Sequence, residues 1–155
     1  VGVHALETIK NKFPQSLSEE DARRIAATAA GETIATHMVS HKADATLNKS
    51  RPEMLLEYKK VHEATKKTAR GAGLSDEMAH DHASNIILSV AVLHSAKAAT
   101  RKALSLGSSH EGAGEAAASA AENAALIAAT ATNLSEKATD ESISLATSVG
   151  ALAAA

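Results

Sequence analysis

The chain has 155 residues, with 16 basic and 18 acidic side chains, a net charge of −2 and no cysteine. This length suits a single domain with a buried core. The scattered charges form no basic stripe for nucleic acid, and no run approaches the roughly 18 apolar residues of a membrane span. Lack of cysteine neither requires nor excludes an extracellular setting.

The hydrophobic share is ordinary at 45%, but 36 residues are alanine and Phe13 and Tyr58 are the only aromatics. Alanine has the highest helix propensity, and its thin side chain lets helix backbones approach closely, although it contributes little apolar area. The alternating Val, Ile, Thr and aromatic pattern of strands is missing. Composition therefore predicts an all-α fold, an elongated bundle of long alanine-rich helices forming one domain over residues 1–155.

The first expected helix, from about Val3 to Lys12, stops at Phe13-Pro14. Ser16 and Ser18 ahead of Glu19, Glu20 and Asp21 then give a capping serine and an acidic first turn. That second helix runs to about Leu47, with Gly31 as a weak point costing about 1 kcal/mol relative to alanine. Asn48-Lys49-Ser50-Arg51 breaks the pattern, and Pro52 fits the first position of a third helix. Leu55, Tyr58, Val61 and Thr65 share one face of it, with Lys59, Lys60, Lys66 and Lys67 outside, and Gly71-Ala72-Gly73 ends it. Ser75 caps a fourth helix to about Leu106, with Ile86, Val90, Leu93 and Leu104 on one face. Gly107 to Gly114 reads as a loop. The last helix, Glu115 to about Ala153, carries a near-heptad ladder of Ala120, Ala124, Ile127, Ala131, Leu134, Ala138 and Leu145. About 40 residues at 1.5 Å each reach ~60 Å, so the bundle is expected to be a rod, with Gly31 and Asn133 as the candidate kinks.

Few residues point to chemistry. His37 and His41 lie four apart with Asp44 one turn on, a spacing that can chelate a divalent ion but offers too few ligands for a structural site. His80-Asp81-His82 is a second cluster whose members point in different directions on a helix. No His-Glu-x-x-His or Gly-x-Ser-x-Gly motif occurs, and the glycines at 107, 112 and 114 lack the Lys-Ser or Lys-Thr of a phosphate loop. The expectation is no catalytic residue, no metal and no cofactor. Of two Asn-x-Ser triplets, Asn48-Lys49-Ser50 lies in an expected turn and would accept a glycan in a secreted protein. Asn133-Leu134-Ser135 lies in an expected helix. Alanine-rich faces are too weakly hydrophobic for an interfacial membrane helix. The opening Val1-Gly2-Val3-His4 lacks the basic region and apolar run of a secretory leader.

The stretch Glu115-Ala116-Ala117-Ala118-Ser119-Ala120-Ala121-Glu122, with the alanine- and glutamate-rich ladder after it, resembles the glutamic-acid/alanine-rich and alanine-rich surface proteins of African trypanosomes. The resemblance covers composition and helical plan over most of the chain and rests on no diagnostic motif. It implies a non-enzymatic surface antigen, held on the extracellular face of the plasma membrane by a C-terminal lipid (GPI) anchor whose signal would lie beyond Ala155. Its partners would be neighbouring copies in a coat. Two other classes stay open. One is a helical toxin or secretion-system component with Ile86 to Leu93 as its apolar hairpin. The other is a small-molecule or metal carrier with a pocket lined by His37, His41 or Tyr58.

Overall fold

The computed structural model describes residues 7–9, 11, 18–40 and 49–133. Among these residues the chain forms four helices and no strand: α1 (Glu19–Ser40), α2 (Arg51–Gly71), α3 (Asp76–Ser105) and α4 (His110–Thr132). Residues 7–9 and 11 are helical as well, within the first expected helix. The architecture is the elongated all-α bundle that composition predicts. At 1.5 Å per residue the 30-residue α3 is ~45 Å long.

Local chemistry sets each helix start. The Ser18 hydroxyl accepts from the Asp21 N–H at 3.1 Å and donates to the Asp21 carboxylate at 2.6 Å. At α2 the Glu53 carboxylate accepts from the Ser50 N–H at 2.8 Å and from the Ser50 hydroxyl at 2.6 Å, which holds the Glu53 pKa below its ordinary value. Ser75 accepts from the Met78 N–H at 3.3 Å and Ser109 from the Gly112 N–H at 3.1 Å. These bonds satisfy amides that a helix leaves open at its N-terminus. The turn after α2 passes through Gly73 at φ +94°, a conformation that glycine adopts without penalty.

Consecutive helices run antiparallel through the short turns at 72–75 and 106–109. α2 and α3 each pack against every other helix, while α1 and α4 flank this central pair. The α3–α4 interface is the most extensive. Its core joins Tyr58 and Val61 of α2, Ile87 and Val92 of α3, and Ile127 of α4 to a row of α4 alanines. A smaller cluster at the α2–α3 turn contains Ala26, Ala27, Ala69, Ala72, Leu74 and Ala79, with no α4 residue in it.

Several expectations change. Gly31 does not kink α1, which passes through it unbroken. It is a contact point, because a β-carbon there would stand 2.7 Å from Ile86 Cδ1 and 3.1 Å from Thr65 Cγ2. The expected loop over Gly107–Gly114 is shorter, since the Ser109 cap starts α4 at His110 and takes Gly112 and Gly114 into the helix. Among the described residues α4 spans 23 residues, ~35 Å. Asn133 closes it in the left-handed conformation at φ 53°, which asparagine tolerates better than most residues. Leu134, Ala138 and Leu145 lie outside the described residues.

On α4, Ala124, Ile127 and Ala131 are buried, but Ala120 is only partly so and Ala121 takes its place. The buried row runs Ala113, Ala117, Ala121, Ala124, Ala128, following the 3.6-residue helical period more closely than a strict heptad. On α3, Ile86 and Val90 are buried and Leu93 partly so, while Leu104 is 42% exposed. Leu104 stands in the last turn of the longest helix, where less of the bundle covers it.

Candidate functional site

Among the described residues, polar groups enter the bundle chiefly where α3 meets α2 and α1. His62 projects from the buried face of α2, one turn beyond Tyr58 and beside Val61. Its Nε2 lies 3.2 Å from the Ser84 hydroxyl, and that hydroxyl donates to the His80 carbonyl at 2.8 Å. With the serine proton on the carbonyl, Ser84 Oγ is open to accept from His62 Nε2–H, the tautomer this arrangement favours. The neutral His62 ring therefore keeps its bare nitrogen at Nδ1. Nδ1 stands 3.8 Å from a carboxylate oxygen of Glu63, a side chain 75% exposed. The His80 ring meets the His62 ring edge-to-face, with centroids 5.0 Å apart. Burial first, and then the neighbouring His80, lower the His62 pKa.

A serine beside a histidine invites a catalytic reading, but the polarity is wrong. A general base must accept the hydroxyl proton, whereas in the tautomer favoured here the imidazole donates to the oxygen. Ser84 is fully buried and His62 nearly so, which keeps a substrate from the pair. The arrangement is a neutral polar clamp between α2 and α3.

His82, two residues from His80, faces the other way toward α1. The spacing reading of His80-Asp81-His82 therefore holds: the two rings serve different interfaces. The His82 pKa is lowered, chiefly by burial, with the Ala27 carbonyl and Glu32 opposing that shift and Arg24 adding to it. Its Nε2 is buried without a hydrogen-bond partner. His82 borders a groove of about 490 Å³ between α1 and α3. Thr28, Glu32 and Thr36 of α1 and Asn85 and Ser89 of α3 supply polar walls, and Ile86, Val90 and Leu93 supply the apolar surface.

His37 is exposed on α1, while His41 and Asp44 lie outside the described residues. Among the described residues no three His, Cys, Asp or Glu side chains converge as a metal-binding group. Tyr58 and His37 do not line the groove. Tyr58 is instead buried in the larger core, where desolvation raises its pKa and the neighbouring Ser95 partly offsets the rise. As placed, its hydroxyl makes no hydrogen bond of ordinary geometry. The apolar run Ile86 to Leu93 is spent on the core, with Ile87 fully buried. No described helix is long and apolar enough to cross a membrane. Asn48 lies outside the described residues; Asn133 is exposed at the end of α4.

His62 was not singled out from the sequence, although its spacing from Tyr58 and Thr65 on one helical face is a signal that could have marked it as inward-facing. Nothing in the sequence pairs it with Ser84, which is 22 residues away and on another helix. No family model, curated protein or solved structure matches the chain.

Proposed function

We propose that this chain is a non-enzymatic structural protein of a cell-surface coat, carried on the outer face of the plasma membrane by a C-terminal lipid anchor and packed against its own copies. The observation that carries this reading is the slender up-and-down bundle with an alanine-lined seam between α3 and α4. Close helix approach gives a narrow cross-section for the length of chain, which favours dense lateral packing. In this reading the turn at 106–109 is the membrane-distal tip and α4 descends from it toward the anchor. Antibodies against residues 104–111 are expected to stain intact cells, and antibodies against residues 140–153 only after detergent. The reverse pattern, or a purely cytosolic location, refutes the reading.

The groove between α1 and α3 favours a second reading, a carrier of a small amphiphilic molecule. Saturable binding of a fluorescent amphiphile, lost in Ile86→Asp, would support it. Binding unaffected by that change would place the ligand elsewhere.

A further inference from the structure

The middle of the bundle and its α2–α3 end are held by different chemistry. Across the middle of the bundle the core contains Tyr58, Ile87 and Ile127, among its largest buried side chains. At the α2–α3 end the buried apolar cluster is five alanines and Leu74, with Ile9 and Met78 only partly buried against it, and each alanine methyl removes far less area from water than an isoleucine does. The N-terminal turns of α3 are held there by polar groups as well. His62 from α2 bonds to Ser84 and lies against His80, and His82 reaches toward the Ala27 backbone of α1.

We propose that this end is an acid-operated latch: protonation of His62 and His82, set on two sides of α3, loosens residues 76–84 from α2 and α1 while the α3–α4 half stays packed. The proposal stands independently of the coat reading.

The charges around both rings leave a proton poorly compensated. His62 faces Glu63 and Lys66 from its own helix and, from α3, the His80 ring, which opposes a proton, and the His80 backbone, which favours one by a smaller amount. A proton on Nδ1 has a carboxylate for company, but one so exposed that water screens it, while Lys66 repels the charge. The His80 ring, 5.0 Å away between centroids, also disfavours a charge on His62. His82 faces Glu32 and Arg24 of α1; Glu32 is exposed and the arginine opposes the proton. Burial therefore decides the outcome in both places.

Both histidines titrate below the unfolded value, so the unfolded or opened chain binds more protons than the closed one. Closure is fully favourable above about pH 6.5 and weakens as pH falls below it. His94, also lowered by burial and then by Lys97 and Arg101, lies farther along α3, outside the latch.

The test is amide hydrogen exchange at about pH 7.5 and about pH 5, corrected for the intrinsic rate. The opening of residues 76–84 is expected to rise several-fold at the lower pH, while residues 117–128 change little. His62→Gln/His82→Gln keeps polar side chains that do not titrate and is expected to abolish the difference. Equal acceleration of both regions, no acceleration, or an unchanged response in the double variant overturns the latch. Should the double variant not fold, histidine ring resonances of the unaltered protein decide. His62 and His82 titrating below the ordinary histidine range support the latch; titration at the ordinary value overturns it.

Discussion

Gly31 gives the most quantitative test of how α1 is seated. A β-carbon at this position would meet Ile86 Cδ1 at 2.7 Å and Thr65 Cγ2 at 3.1 Å. Gly31→Ala therefore sets two opposing terms against each other. Helix propensity favours alanine by about 1 kcal/mol. Overpacking opposes it by about 1–3 kcal/mol, and the structure places the cost near the lower end. Ile86 borders the groove between α1 and α3, so its terminal methyl has space to turn, at about 0.5–1.5 kcal/mol if it leaves its rotamer well. Thr65 is fully buried and has to give by only a few tenths of an ångström. The single variant should lie within about 1 kcal/mol of the parent. Ile86→Val removes the clashing Cδ1 and alone should cost about 0.5–1.5 kcal/mol. In the Gly31→Ala background the same change relieves strain, so the cycle should show a favourable coupling of about 1 kcal/mol. Urea unfolding of the four proteins, followed by helical circular dichroism, supplies the numbers. Additivity within about 0.3 kcal/mol refutes the close approach of α1 to α3 at Gly31.

Two further outcomes follow from the packing. Ala124→Leu should overpack the α4 seam and cost about 1–3 kcal/mol, whereas Ala118→Leu on a partly exposed position should cost under about 0.5 kcal/mol by thermal melting; equal effects would mean that the seam is misplaced. Tyr58→Phe should change stability by less than about 0.5 kcal/mol or increase it, because the buried hydroxyl lacks a bond of good geometry. A loss above about 1.5 kcal/mol would instead assign it a strong bond, with Ser95 as the candidate partner.

Much of the helical plan was legible because capping is local chemistry. Ser18 and Ser75 announce themselves by the acidic residues that follow, and the structure uses both as caps. Ser109 was hidden by the glycines around it. Gly112 and Gly114 lower helix propensity, yet burial of Ala113 and Ala117 carries the helix through them. Asn133, expected as a kink, is where the helix is interrupted. Its neighbours favour a helix, and only the left-handed backbone at that residue shows where α4 closes. The polar clamp was less accessible still. That His62 faces inward is a matter of spacing along one helix, but its bond to Ser84 depends on how α2 and α3 align, which no local pattern encodes.

The alanine content that made the fold readable also concentrates its stability. A buried alanine contributes one methyl, whereas each additional buried CH₂ adds about 0.8 kcal/mol. Ile87, Ile127, Val61 and Tyr58 therefore hold a share of the hydrophobic stabilisation well beyond their number. Three of these four lie on α2 or α4, facing the one on α3, so the strongest contacts run across the middle of α3 and along its seam with α4. The end formed by Ala26, Ala27, Ala69, Ala72, Leu74 and Ala79 has no fully buried side chain of that size, since Ile9 and Met78 pack on it only partly buried, and Gly31 brings α1 close by thinness, not by bulk. A polar bond such as His62 to Ser84 is worth only about 1 kcal/mol net in a folded protein. Against a large isoleucine-filled core that would be a minor addition. Against an alanine cluster it is a large fraction of what keeps α3 in place, and for that reason a change in protonation at this end can act locally before it unfolds the whole bundle.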